Sequence, residues 1–279
     1  MFAMSVLMNP EVPASLDVVR VRHPLKIRLL AVARVETVTP YLVRVTLTGE
    51  DLRDFISLSF DDHVKVFFPA PGTHDPVLPA LGPQGPVFPA GVRPDARDFT
   101  PCRFDRERLE LDLEFALHEA GPATVWARQA TVGQTLGIGG PRGSMIIPVG
   151  FDWHLLVGDD TALPAIARRL AELPARTKVY AVLEVEDPSA HVAFETKADL
   201  SLIWCYRRGA LSQQEILLQM VRAVQLPVGE GYAWAAGESA SIRAVRAHLV
   251  SERGMPKSRI RASSYWKRGS DATHEHFDD

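Results

Sequence analysis

A chain of 279 residues with 46% hydrophobic and 23% charged side chains and a formal net charge of -3 has the make-up of a globular protein of about two domains. That balance excludes wholesale disorder and a polyanion-binding basic surface, so no nucleic acid is expected as a partner. No apolar run approaches the roughly 18 to 20 residues that span a bilayer, and two cysteines, Cys102 and Cys205, make neither a disulfide framework nor a zinc site. A cytoplasmic protein without a membrane partner is the expectation.

The first half reads as strands. Val, Leu and Thr crowd Lys26 to Glu36, and in Tyr41 to Thr48 the residues Val43, Val45 and Leu47 alternate with Arg44, Thr46 and Thr48. From Leu109 to Leu117 the pattern repeats, with Leu111, Leu113 and Phe115 on one face and Glu110, Asp112 and Glu114 on the other. An antiparallel barrel or sandwich follows. Between Pro69 and Pro94, Pro and Gly are so dense that a long surface loop is expected. Within Arg97-Asp98-Phe99-Thr100 the Arg can pair with a phosphate, the Phe on the same strand face can pack against a flat ring, and the Thr can bond a polyol. A strand with one surface Arg and one core Phe is the plainer alternative. Gly121-Pro122-Ala123-Thr124 opens a short helix whose free amides could receive a pyrophosphate. Gly137 to Gly143 resembles a dinucleotide fingerprint, but it leads into Ser144-Met145-Ile146-Ile147-Pro148 rather than a helix, which favours a hairpin.

After Gly150 the period changes. Apolar runs at Trp153 to Val157, Lys178 to Val185, Leu200 to Tyr206, Tyr232 to Ala236 and Arg259 to Trp266 alternate with helical spacings. Those spacings are Leu163, Ile166 and Leu170; then Ile216, Met220 and Val224 behind a Ser212 to Glu215 capping box; then Ile242, Val245 and Leu249 ahead of Gly254. A parallel sheet with helices on both faces is implied, with ligands at the carboxyl ends of its strands. Two helix starts there are anion-site candidates, Gly158-Asp159-Asp160-Thr161-Ala162 and Ala236-Gly237-Glu238-Ser239, although both are also ordinary caps. Arg207 and Arg208 suit the 2'-phosphate of NADPH, whereas Glu184 and Glu186 suit a ribose hydroxyl, and the two cues conflict. His274-Glu275-His276 in the tail is assigned no metal, and the terminus is expected to be disordered.

The stretches from Asp62 to Pro69, Arg97 to Thr100, Leu117-His118, Gly121 to Thr124, Gly137 to Ser144, Gly158 to Ile166, Ala236 to Glu238 and Tyr265 to Gly269 resemble, in this order, the siderophore-interacting protein family. These are flavin-dependent ferric-siderophore reductases of the ferredoxin-reductase-like superfamily. The resemblance implies an N-terminal FAD-binding antiparallel β-barrel, residues 1–150, and a C-terminal NAD(P)H-binding α/β domain, residues 151–279. It places Arg97, Asp98, Phe99 and Thr100 on the FAD-binding strand, Ala116, Leu117 and His118 beside the flavin, and Gly121, Ala123 and Thr124 around the pyrophosphate. A family basic triad for the ferric siderophore maps to Lys65, Arg142 and Lys267, with Arg268 as substitute, unless these are merely solvated charges. Tyr265 and Trp266 either cover the flavin ring or pack the last strand. Two positions depart from the pattern: Phe99 stands where the family usually has Tyr, and Cys102 where a second Arg is common.

The implied chemistry needs no catalytic side chain. A reduced nicotinamide, NADPH or NADH, gives two electrons, ferric iron takes one, and FAD does both. The softer Fe(II) is then held less firmly by hard oxygen ligands. The partner is a ferric siderophore or another Fe(III)-chelate, with a ferredoxin as an alternative electron source. Rival readings are a flavin or ferredoxin-type reductase with another acceptor, and a non-catalytic ferric-siderophore-binding protein.

Overall fold

The computed structural model describes residues 15–83, 85–92, 94–117, 121–208, 216–269 and the backbone of 275–276. Its first half carries β1 (Val19–Arg22), β2 (Ile27–Thr39), β3 (Leu42–Thr48), β4 (Val64–Phe67), β5 (Ala80–Gly82), β6 (Gly85–Val87), β7 (Ala96–Phe99), β8 (Pro101–Asp105), β9 (Glu110–Ala116), α1 (Pro122–Arg128), β10 (Thr135–Gly139) and β11 (Gly143–Ile146). Seven of these form one antiparallel sheet in the order β7-β4-β10-β2-β3-β9-β8. The two outer strands are separated in sequence by Thr100 alone, so the sheet curls toward closure as a half-barrel.

The alternation in β9 explains both faces of that sheet. Leu111, Leu113 and Phe115 are buried with Leu30, Val45, Val64 and Ile138, each such side chain worth roughly 1.5–3 kcal/mol. The outward acids meet cross-strand bases: Glu110 with Arg34 at 2.7 Å, Asp112 with Arg103 at 3.2 Å, and Glu114 with Arg44 at 2.6 Å. Arg44 and Glu114 are direct register partners, the geometry that favours opposite charges on neighbouring strands.

Two expectations are corrected here. The stretch from Pro69 to Pro94 is not only loop: β5 and β6 pair as a small antiparallel hairpin, with Gly82 opposite Gly85, whose φ is 117°. Gly137 to Gly143 is not a hairpin either. β10 lies between β2 and β4, while β11 pairs with β1, a strand that sequence reading did not find. The glycines serve close packing: a Cβ on Gly143 would sit 2.6 Å from the Val21 carbonyl oxygen.

The second half carries β12 (Trp153–Asp159), α2 (Leu163–Glu172), β13 (Lys178–Val185), β14 (Asp199–Tyr206), α3 (Ile216–Ala223), β15 (Gly231–Glu238), α4 (Ser239–Ser251), β16 (Ile260–Trp266) and the short β17 (Glu275–His276). The sheet order is β14-β13-β12-β15-β16-β17, parallel throughout except for β17. Order therefore reverses between β12 and β15, as in doubly wound sheets. On one face Leu163, Ile166 and Leu170 of α2 pack on Leu156, Ala181 and Trp234. On the other, Leu217 and Val221 of α3 and Ile242, Val245 and Leu249 of α4 cover Leu155, Val157 and Ala233. Burial on both faces is why these strands read as continuous apolar runs rather than alternations.

The Ser212 to Glu215 capping box lies outside the described residues, as does His274. Glu275 and His276 are not disordered but extend the sheet beside Ser264 and Ser263. Among the described residues no helix is long and apolar enough to cross a membrane, and no cluster of His, Cys, Asp and Glu could hold a metal. Both cysteines are free thiols.

The halves meet across a polar seam. Asp61, 7% exposed, accepts the indole N–H of Trp234 and the Nε–H of Arg261, both at 2.9 Å. From α2, Arg168 donates to the Ser57 hydroxyl and to the carbonyls of Ser57 and Pro101, and Arg169 donates to those of Ile147 and Pro148.

Candidate functional site

The seam brings one edge of the half-barrel against the carboxyl ends of the parallel strands. Thr100, between β7 and β8, shares a side-chain hydrogen bond with the hydroxyl of Tyr265 near the end of β16. Burial, together with the negative charge of Asp61, raises the Tyr265 phenol far above its ordinary range, so it is a permanent neutral partner there. Through this bond the strand Arg97 to Thr100 stands next to the segment Tyr265 to Arg268.

Side chains on β7 divide between its faces. Arg97 lies opposite Val66 and Phe99 opposite Val64, whereas Asp98 lies opposite Lys65 and pairs with its ammonium at 2.8 Å. Phe99 is half-buried, its ring 4.4 Å from that of Phe115 and 6.2 Å from that of Phe68. Trp126 of α1 completes the aromatic cluster, with its ring 5.5 Å from Phe115 and its buried indole N–H without an acceptor among the described residues. The Arg97 guanidinium donates to the Ala96 carbonyl at 2.9 Å, and no carboxylate pairs with it among the described residues. A half-exposed ring, an Arg with N–H groups to spare and an unmet buried donor fit an aromatic, phosphate-bearing cofactor such as FAD.

Ala116 ends β9, and the Leu117 amide donates to Tyr41 at 2.8 Å, so both lie beside the junction of β2 and β3. His118 lies outside the described residues. Gly121 precedes α1 at a φ of 136°, a conformation that suits glycine, with Pro122 at the first helical position. Ala123 is half-buried against the half-barrel core, and Thr124 is buried.

At the other side of the seam, the carboxyl ends of the parallel strands carry Asp159, Asp160, Glu184, Arg207, Glu238 and Trp266. Gly158 and Asp159 belong to the strand itself, and the turn is the 3-10 segment Asp160–Ala162. Two of the anion-site candidates already hold a carboxylate. Glu238 caps α4, its Oε2 accepting the amides of Ala240 at 2.8 Å and Ser241 at 3.0 Å, while Ala236 and Gly237 are the buried end of β15. Asp159 does the same for the Thr161 amide at 2.9 Å.

Arg207 is engaged from three sides, by Asp160 in close contact, by Glu186 at 3.3 Å and by Glu184 at 3.6 Å. The conflict between basic and acidic cues is thus a pairing, and the more exposed Arg208 meets Asp187 at 3.1 Å. Burial, then the charge of Asp159, raises the Glu184 carboxyl to about 7 against the opposing pull of Arg207.

Lys65, Arg142, Lys267 and Arg268 are all exposed. Lys65 stands opposite Gly139, which begins the turn leading to Arg142, so these two share one end of the half-barrel. Lys267 and Arg268 follow Trp266, the Arg268 amide donating to Glu238 at 3.4 Å. Tyr265 packs on Trp234 at 6.3 Å and so belongs to the seam, whereas Trp266 is half-exposed with its indole N–H on Asp159 at 2.7 Å. Sequence reading missed Asp61, Arg168 and Arg169. The adjacent arginines on the otherwise apolar spacing of α2 were the one visible signal.

Comparison with known proteins covers both halves. Residues 31–145 match the profile described as siderophore-interacting FAD-binding domain, and residues 151–269 match the one described as siderophore-interacting protein. The NADPH-dependent ferric-chelate reductase of Escherichia coli (strain K12) is 35% identical over 250 residues, 88% of this chain and 95% of that one. The ferric vibriobactin reductase ViuB of Vibrio cholerae serotype O1 is 36% identical over 260 residues, 89% of this chain and 93% of that one. Among solved structures, a siderophore utilization protein from T. fusca superposes with a TM-score of 0.85 at 36% identity, covering 92% of this chain and 99% of its own. The ferredoxin reductase of carbazole 1,9a-dioxygenase shares the fold, with a TM-score of 0.60 at 18% identity over 85% of this chain and 69% of its own.

Proposed function

The chain belongs to the siderophore-interacting protein family, and from that membership we propose that it is an FAD-dependent ferric-siderophore reductase driven by NAD(P)H. The observation that carries the reading is the juxtaposition, through Thr100 and Tyr265, of the β7 strand with the carboxyl ends of the parallel sheet. A two-domain division near residue 150 separates the FAD-binding half from the nicotinamide-binding half.

When bound, FAD supplies the conversion between two-electron donation by the nicotinamide and one-electron uptake by iron. Arg97 pairs with its phosphate, Phe99 packs against its ring system, and Thr100 with Asp98 fixes the strand beneath it. Ala116 and Leu117 would flank the flavin, and Gly121, Ala123 and Thr124 would border the pyrophosphate. Gly158 to Ala162 and Ala236 to Glu238 line the nicotinamide crevice, with Arg207 held at its rim. Lys65, Arg142, Lys267 and Arg268 draw the anionic ferric chelate by charge. Iron leaves as Fe(II), which hard oxygen ligands retain less firmly. The protein works in the cytoplasm, and a ferredoxin is the alternative electron donor.

The test is anaerobic. NADPH and then NADH are added to the FAD-loaded protein while the flavin band is followed, and ferric tris-catecholate with an Fe(II)-trapping dye comes next. Bleaching by a nicotinamide, then recovery of colour with dye-bound Fe(II), is expected. A flavin that stays oxidised with both nucleotides and with reduced ferredoxin refutes the reading. Arg97→Ala is expected to purify without flavin colour; a fully yellow variant would overturn the role of Arg97.

A further inference from the structure

The crevice opened by the reversal between β12 and β15 is where doubly wound sheets take their ligands. In this chain a side chain already sits in it. Asp159 is 3% exposed, and its carboxylate receives four donors. Oδ1 accepts the Thr161 amide at 2.9 Å and the Thr161 hydroxyl at 2.5 Å. Oδ2 accepts the Glu238 amide at 2.9 Å and the Trp266 indole N–H at 2.7 Å. A carboxylate has acceptor atoms for both pairs of donors, whereas an amide would turn its own N–H groups toward one of them. The ends of β12, β15 and β16 therefore converge on one group.

The approach is tight enough to demand glycine at position 237. Gly237 has a φ of 147°, and a Cβ there would lie 2.5 Å from Asp159 Oδ2. Glu238 adds a second anchor, since its Oε2 caps α4 while its Oε1 accepts the Arg268 amide at 3.4 Å. Trp266 thus leaves the sheet pinned by its indole, and Arg268 is pinned by its backbone two residues later. Lys267 and Arg268, both exposed, ride on that segment.

The Thr161 bonds shape the local turn, as a capping Asp ordinarily does. The indole bond does not: it joins residues 107 apart in sequence and adds nothing to the turn. We propose that Asp159 is a positioning residue for the electron-acceptor mouth, holding Trp266 so that Lys267 and Arg268 meet an anionic ferric chelate. This inference rests on reading the protein as a ferric-chelate reductase.

Trp266→Phe cuts the link and keeps both turn bonds, and Asp159→Asn leaves a single oxygen that cannot accept from both the Thr161 pair and the Glu238–Trp266 pair, so the pair of variants separates positioning from folding. On FAD-loaded full-length protein, kcat/KM is measured for ferric tris-catecholate and for an uncharged quinone. Each variant is expected to lower the ratio of the two by about two- to fivefold, the scale of losing a favourable charge placement at the surface. The double variant is expected to fall no further than Asp159→Asn alone, because the two residues act through one bond. Independently of turnover, the indole N–H resonance that disappears in Trp266→Phe is expected to shift in Asp159→Asn. An unchanged ratio in Trp266→Phe, or additive losses in the double variant, overturns the positioning role while leaving the reductase reading standing. Failure of the wild-type protein to reduce the chelate at all defeats the reading beneath it, and the proposal with it.

Discussion

Replacing Glu184 by Gln isolates one buried carboxyl at the crevice. Glu184 is 7% exposed and its Oε2 has no partner among the described residues. Burial, with the charges of Asp159 and Asp160 outweighing Arg207, raises it from 4.5 to about 7. The folded protein therefore holds this proton more tightly than the unfolded chain. The stabilisation is complete below the unfolded value of 4.5 and is lost as pH rises through about 7. From pH 5 to pH 8 the loss comes to roughly 2 to 3 kcal/mol, using 1.36 kcal/mol for each unit of displacement. Gln carries no charge at either pH, so the variant should gain on the wild type by about that amount across the interval. Urea unfolding midpoints of both proteins at the two pH values, with a common slope, measure the difference. A wild-type-to-variant gap that is the same at pH 5 and pH 8 would refute an ionisation raised by burial.

His154 should show the opposite sign. Burial, followed by the charge of Arg169, depresses it to about 3, so stability is lost as pH falls below 6.5, by about 2 kcal/mol at pH 5. His154→Leu should flatten that part of the pH–stability curve, as thermal melts at the two ends will show. Phe99→Tyr adds a hydroxyl to the half-buried ring beside the proposed FAD site and should tighten FAD binding by about two- to tenfold, read by flavin-fluorescence titration. Gly237→Ala forces a side chain into a left-handed conformation and onto Asp159, and should cost about 2 kcal/mol or more in urea denaturation. No measurable loss would mean that the carboxylate moves aside freely.

Element type was legible where burial imposes a period. The apolar run from Lys178 to Val185 is β13 without adjustment, and the alternation from Leu109 to Leu117 frames β9. β1 escaped because four residues, Val-Arg-Val-Arg, are strand only by virtue of a partner 121 to 127 positions away in sequence. The hairpin of β5 and β6 hid among prolines and glycines whose composition argues for loop. At the candidate site, Gly158 to Thr161 and Ala236 to Ser239 were visible as helix starts with free amides, but a sequence does not show which acceptor reaches an amide first. Here it is the side chains of Asp159 and Glu238. In the same way the competing signals of Arg207 and Glu184 could not be resolved before their strand ends were known to adjoin, as Cys205 opposite Glu184 in the register of β13 and β14 shows.

The seam between the halves is lopsided in its chemical demands. Arg168 and Arg169 reach from α2 mostly to main-chain carbonyls at Ser57, Pro101, Ile147 and Pro148. Every amino acid supplies that oxygen, so the half-barrel can change its side chains at those positions and still be gripped, provided its backbone path is kept. The α/β half has no such latitude, because only a guanidinium spans several acceptors from one helix position. On the half-barrel side the specific side chains are Asp61, which answers Trp234 and Arg261 with its carboxylate, Thr100, which meets Tyr265, and Tyr41, whose hydroxyl donates to Asp187 at 2.8 Å. Swapping half-barrels between relatives should therefore succeed or fail largely on residues 41, 61 and 100, while swapping the α/β half asks for both arginines at once.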